Sequence, residues 1–325
     1  MTRSRAVGAF VGLACGDALG RPVEFLSPTA IRSKHGDVTT LLGNGTHGQP
    51  AGTVTDDTDM ALCIAERLVT TETFVPALVA DRFIQWYETD PFDIGMLTAT
   101  VLRQLSQGGS WDTVGIEEWA FLPEGQNAGN GSLMRCCPYV LAFTDQPDSL
   151  TTVSRVSSAI THADPRCQWA CVLLNFTLAG LLRGDDRPLE RALDRTPTAP
   201  AELREAVLDV CAVLNGDRTR SELSLSNSGY VVTTLQAALF HGLTAETAEK
   251  AIVDAVMMGG DTDTIGAVTG AIAGARFGQQ ALPDRWVSGI PESNRIQTLA
   301  ETLFDQEFGV DRSAREFVES GALSL

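Results

Sequence analysis

Apolar residues recur along this chain at spacings of three and four, and alternation with a period of two is almost absent. That pattern predicts helices over about 5–18, 57–70, 75–88, 94–106, 132–143, 150–160, 165–182, 202–214, 230–242, 245–257, 263–276 and 296–305. Gly184, Gly216 and Gly278 fall where helices should stop. Breaker-rich pieces at 43–52, 122–131 and 183–200 read as loops, and none is long or biased enough to divide the chain. The expectation is an all-α fold, one compact helical domain over residues 1–325.

Two of those helices begin in unusual sequence. "AGTVTDDTDMAL" (51–62) and "MGGDTDTIGAVTGAIAGA" (258–275) each set a knot of aspartates and threonines at a helix head. One such residue caps free N–H groups, and one or two acids complement the helix dipole. Five polar residues from Thr55 to Asp59, and four from Asp261 to Thr264, exceed that need. Crowded carboxylates repel one another, and cations among them relieve the repulsion. The donors are carboxylate and hydroxyl oxygens, with no histidine or cysteine at ligand spacing in either knot. This set suits hard divalent ions and disfavours zinc. Two knots suggest two ions sharing carboxylates. Past the second knot, Gly266, Gly270 and Gly274 stand four apart, a spacing for close packing against another helix.

The net charge of −17 makes nucleic acid and anionic membranes improbable partners. Seven cysteines, an odd count without a C-x-x-C, read as buried thiols of a reducing compartment. The basic tip and short apolar run at the start raise a signal peptide as an alternative, but Asp17 interrupts the run. No stretch is long enough to span a bilayer, and a cytoplasmic location is expected.

Six pieces in order, "GLACGDALGRPVEF" (12–25), "TVTDDTDMAL" (53–62), "GNGSLMR" (129–135), "THAD" (161–164), "GYVVTTLQAAL" (229–239) and "GGDTDTIGAVTGAIAGARFG" (259–278), together resemble the ADP-ribosylglycohydrolase family. That family includes the dinitrogenase reductase-activating glycohydrolases and crystallin J1 relatives. The resemblance covers residues 6 to 305. It implies an all-α fold, a centre of two Mg²⁺ or Mn²⁺ ions, and hydrolysis of an ADP-ribose bond on a modified protein side chain, releasing ADP-ribose. Position by position, it implies metal ligation by Thr55, Asp56, Asp57, Asp261, Asp263 and Thr264. Glu24 matches a carboxylate at the metals, with Asp17 and Gly20 shaping its loop. Asn130, Gly131 and Ser132 match a diphosphate or ribose cradle at a helix start, and His162 a contact to the same groups. Tyr230 would either stack on adenine or pack in the core, and Asp59 would be a surface acid favoured by the helix dipole. "DPFDIG" (90–95) resembles the arginine-directed branch, where Asp93 would either approach the attacking water or guanidinium or cap a helix. Glu24 and Asp93 are the candidates for proton handling. Hydrolysis of an O-linked, nucleic-acid or small-molecule conjugate, and a non-enzymatic crystallin-like role, are the rival readings.

Overall fold

A computed structural model describes residues 2–323. Its centre is a pair of helices, Arg3–Gly20 and Thr262–Phe277, buried almost throughout. Helices that are apolar on every side belong inside a protein. The pair runs antiparallel, with Gly8 beside Gly274, Gly12 beside Gly270 and Gly16 beside Gly266. A β-carbon on Gly270 would lie 1.9 Å from the carbonyl oxygen of Gly12, and one on Gly16 1.9 Å from that of Gly266. The predicted glycine stripe therefore has a partner stripe, and the backbones touch along it. This register carries Gly20, at the end of the first helix, onto Thr262, at the start of the second.

Helices Asp56–Thr71, Pro165–Arg183, Val231–Thr244 and Ala248–Val256 pack around the pair, and one apolar cluster runs through nearly the whole molecule. Asp164 caps Pro165–Arg183 by accepting the Arg166 N–H at 2.8 Å. Two-residue strands Thr73–Phe74 and Gly309–Val310 pair in parallel, Thr73 opposite Gly309. No helix among the described residues is long and apolar enough to cross a membrane. The seven cysteines are all buried and unbridged, as their settings predicted.

The twelve predicted helices are present, most within three residues at each end. One begins late, at Cys137 instead of 132, because residues 131–135 form turns. The loop expected over 183–200 contains a helix, Pro188–Arg195, which buries Leu189, Ala192 and Leu193 at helical spacing. Pro28–His35, Val114–Phe121, Asp284–Val287 and Arg312–Glu319 were also not predicted. Each of these five is eight residues or shorter, so each offers at most two turns of pattern.

Candidate active site

The head of Asp56–Thr71 is held from below. Asp17 accepts hydrogen bonds from the Thr55 N–H and hydroxyl at 3.0 Å, from the Thr58 N–H at 3.2 Å and from the Thr58 hydroxyl at 2.5 Å. The sequence suggests that Asp17 bonds its own turn; instead the chain stays helical through Gly20, and Asp17 faces a neighbouring helix head. Gly20 likewise does not loosen a loop; a β-carbon there would lie 2.2 Å from the Thr262 carbonyl oxygen. Burial raises the Asp17 pKa to about 7, with the bonds from Thr58 and Thr55 opposing it.

The second head is braced differently. The Thr262 hydroxyl donates to the Gly20 carbonyl at 2.8 Å. Asp261 accepts the side-chain amide of Asn130 at 2.7 Å, and its N–H donates to the Asn227 carbonyl at 3.0 Å. The Thr264 hydroxyl reaches across and donates to Asp57 Oδ2 at 3.3 Å. The two knots therefore meet.

Their meeting forms the floor of a cleft of about 530 Å³. Six carboxylates line it, from Glu24, Asp56, Asp57, Asp93, Asp261 and Asp263, with no lysine or arginine among the lining residues. Burial pushes all six above the ordinary carboxylate range, and neighbouring carboxylates push Asp56, Asp57 and Asp263 further. Glu24 reaches about 7. Ligand oxygens of Glu24, Asp261 and Asp263 lie within 4.8 Å of one another. Asp57 Oδ1 is buried without a hydrogen-bond partner. A buried carboxylate oxygen with no donor is costly, and an oxygen-only cluster of this charge fits hard divalent cations.

Two residues that the sequence reading did not single out shape one wall. The buried Arg21 guanidinium donates to the carbonyls of Thr53 (2.9 Å), Pro50 (2.9 Å), Asn44 (3.1 Å), Leu42 (3.3 Å) and Gln49 (3.5 Å). It gathers the glycine-rich 42–53 segment around itself. That segment delivers His47, whose Nε2 lies 2.5 Å from Glu24 Oε2 and 3.6 Å from Asp93 Oδ2. The only signal in sequence was a histidine inside a breaker-rich loop, with nothing to say where it would fold back.

The opposite wall carries Gly129, Asn130, Gly131 and His162. Arg135 donates to the Thr161 hydroxyl at 2.7 Å, and that oxygen lies 2.8 Å from His162 Nδ1. Burial, then the Arg135 charge, lowers the His162 pKa to about 3, so the ring stays neutral and offers one N–H. A β-carbon on residue 131 would sit 2.8 Å from the ring's Cε1, which is why glycine stands there. Among the described residues, no acceptor takes the N–H groups of Gly131 and Ser132.

The sequence matches the ADP-ribosylglycohydrolase family over residues 1–312. The chain belongs to that family. An ADP-ribosylarginine hydrolase of Pseudomonas putida is 34% identical over 316 residues, 94% of this chain and 80% of the relative. The ADP-ribosyl-[dinitrogen reductase] glycohydrolase of Rhodospirillum rubrum is 30% identical over 284 residues, 87% of this chain and 89% of its own. Among solved structures, an ADP-ribosylglycohydrolase-related protein complex superposes with a TM-score of 0.76 at 33% identity, over 93% of this chain and 98% of that one.

As a member of the ADP-ribosylglycohydrolases, the chain is a glycohydrolase, and most of its candidate residues converge. Glu24, Asp56, Asp57, Asp93, Asn130, Gly131, His162, Asp261, Asp263 and Thr264 line the one cleft. Three do not. Thr55 lies beneath the floor, where its hydroxyl joins Asp17 to Asp57. The Ser132 hydroxyl turns inward and accepts from Ser158 at 2.8 Å. Tyr230 packs against the core from outside the cleft, its hydroxyl 2.7 Å from Glu202 and its ring 5.6 Å from the Arg166 guanidinium. Asp59 is not a surface acid: it is half-buried on another face of its helix and accepts the Trp86 indole N–H at 3.0 Å.

Proposed function

We propose that this glycohydrolase removes ADP-ribose from modified arginine side chains of proteins, using two Mg²⁺ or Mn²⁺ ions held among Thr55, Asp56, Asp57, Asp261, Asp263 and Thr264, with Glu24 beside them. The observation that carries this reading is the meeting of the two knots around an orphaned carboxylate oxygen on Asp57. Bound cations would supply Lewis acidity and ease deprotonation of an attacking water.

The chain's own groups divide the rest of the work. The Gly131 N–H is a donor suited to a diphosphate, with the neutral His162 ring beside it, on a wall without lysine or arginine. Asn130 cannot swing freely, because Thr234 and Asp261 both hold its amide. In the hydrolysis, water oxygen bonds to C1″ of the distal ribose, the C1″–N bond breaks, and a proton reaches the departing guanidine nitrogen. The flanking carboxylates stabilise the positive charge that develops at the ribose carbon. Glu24, with His47 at its Oε2, is placed to pass on that proton; Asp93 lies on the far side of the same imidazole. Arginine linkage is favoured by the absence of lysine and arginine from the cleft lining and by the likeness to the Pseudomonas ADP-ribosylarginine hydrolase.

The test is incubation with an arginine-ADP-ribosylated protein and with a serine-ADP-ribosylated peptide, each in chelator, Mg²⁺ or Mn²⁺. Free ADP-ribose should appear from the arginine substrate only with a divalent ion. Release in chelator, or release from the serine peptide alone, would contradict the reading.

A further inference from the structure

Phe25 holds a backbone conformation that a bulky residue rarely adopts, with φ at +62°. It is pinned there from both sides. Its N–H donates to the Gly260 carbonyl at 2.7 Å, and the Gly260 N–H donates to the Leu26 carbonyl at 2.9 Å. The tie joins the residue after Glu24 to the residue before Asp261. Gly259 lies so close that a β-carbon on it would sit 2.5 Å from the Leu26 carbonyl oxygen. This braced strain does not bury the ring: Phe25 lines the cleft and remains 70% exposed. Single exposed apolar residues are ordinary. A strained aromatic fixed at the mouth of a functional cleft is a different observation, because strain persists only where the surroundings impose it. Met96, on another element, also lines the cleft and is 89% exposed.

The occupant follows from charge and shape. The ions proposed above would be held among the two knots, and Asp93 lines the cleft outside that set with no lysine or arginine beside it, a carboxylate left to face a cationic acceptor group. An aromatic face beside carboxylates suits a planar, weakly hydrated cation that can stack and accept charge-assisted hydrogen bonds together. A guanidinium has both properties. We propose that Phe25 forms the acceptor subsite of this cleft, the wall on which the guanidinium of an ADP-ribosylated arginine stacks as Glu24 and Asp93 face its charge. The inference rests on the arginine-hydrolase reading above. Free ADP-ribose lacks the guanidinium and makes no use of this wall.

The experiment compares the wild type with Phe25→Ala, Phe25→Trp and Phe25→Gly in saturating Mg²⁺ or Mn²⁺. It measures KM and kcat on ADP-ribosyl-arginine, Kd for ADP-ribose, and Tm. Phe25→Ala should raise KM about tenfold relative to the Kd for ADP-ribose, the loss of one desolvated stacking contact. Phe25→Trp should restore KM. Phe25→Gly should weaken substrate binding similarly yet raise Tm, because glycine adopts positive φ without strain. Unchanged KM in Phe25→Ala, or KM and Kd rising together, would overturn the assignment. So would a lower Tm in Phe25→Gly, which would make the ring a structural support. A wild type without turnover on ADP-ribosyl-arginine would instead overturn the reading beneath it.

Discussion

Along the seam between Arg3–Gly20 and Thr262–Phe277, backbone lies on backbone and there is no room for a methyl group. At the end of the same seam, next to Gly20 and Thr262, six carboxylates face a cleft with no cationic side chain to balance them. The seam is dry, uncharged and complete in itself. The cleft is charged, buried and unsatisfied, with an Asp57 oxygen that no donor reaches. The contrast shows how a site that costs stability can be held in place: close packing at one end of a helix pair fixes the geometry that repulsion at the other end would spread. Function lies at the end that the fold alone does not satisfy.

The largest expected effect is at the seam. Gly270→Ala sets a β-carbon against the Gly12 carbonyl, where only backbone can move. It should cost roughly 3 kcal/mol in urea unfolding and misplace both knots. A loss below about 1 kcal/mol would mean that the helices separate easily and that the seam does not fix the cleft.

Next comes the junction of seam and cleft. Asp17→Ala would leave the N–H groups and hydroxyls of Thr55 and Thr58 without their acceptor. A loss of about 2 kcal/mol in urea unfolding is expected, together with weaker metal response, since Thr55 and Asp57 would lose their support. Normal stability would separate the first knot from the helix pair.

The cleft should respond to pH where the seam cannot. Asp17 and Glu24 have pKa values of about 7 in the folded state, against ordinary values of 3.8 and 4.5. The folded state thus holds protons more tightly than the unfolded one. Its stability is greatest below the ordinary carboxylate range and is lost as pH rises through about 7. In chelator, Tm should fall between about pH 4 and pH 7; with saturating Mg²⁺ the fall should flatten, because cations replace protons among the carboxylates. A Tm that rises with pH in chelator would contradict the electrostatic account of the cleft.

The seam was largely legible in sequence and the cleft only in part, for a physical reason. Helical spacing and a glycine every fourth residue are local patterns, so the main helices and the tight face at Gly266, Gly270 and Gly274 could be read directly. The knots were legible because their density exceeds what capping needs. What closes around them was not. Asp17 looked like a turn residue because its partners are Thr55 and Thr58, reached only after helix packing. Arg21 and His47 act through a loop that folds back on itself, and no periodic pattern reports such a return. Ser132 and Tyr230 carried suitable chemistry for a ligand, but their side chains turn to Ser158 and to Arg166 and Glu202. The helix Pro188–Arg195 was hidden by its flanking charges and prolines, although Leu189, Ala192 and Leu193 mark its buried face.

The central claim is that the two knots jointly hold divalent ions, and it is tested most directly by Tm as a function of Mg²⁺ or Mn²⁺ concentration. Wild type, Asp261→Asn and Asp263→Asn are compared, with ADP-ribose release from arginine-modified protein measured in the same samples. In chelator, both variants should melt at or above the wild-type temperature, because removing one buried negative charge relieves repulsion. As the ion is added, the wild type should gain stability by mass action, by about 2.7 kcal/mol at a hundredfold excess over Kd. The variants should gain less and lose hydrolysis, since an amide oxygen lacks the charge that holds a divalent ion. Superimposable titrations with equal hydrolysis rates would contradict the account and reduce both knots to helix caps, a role in which asparagine serves nearly as well as aspartate.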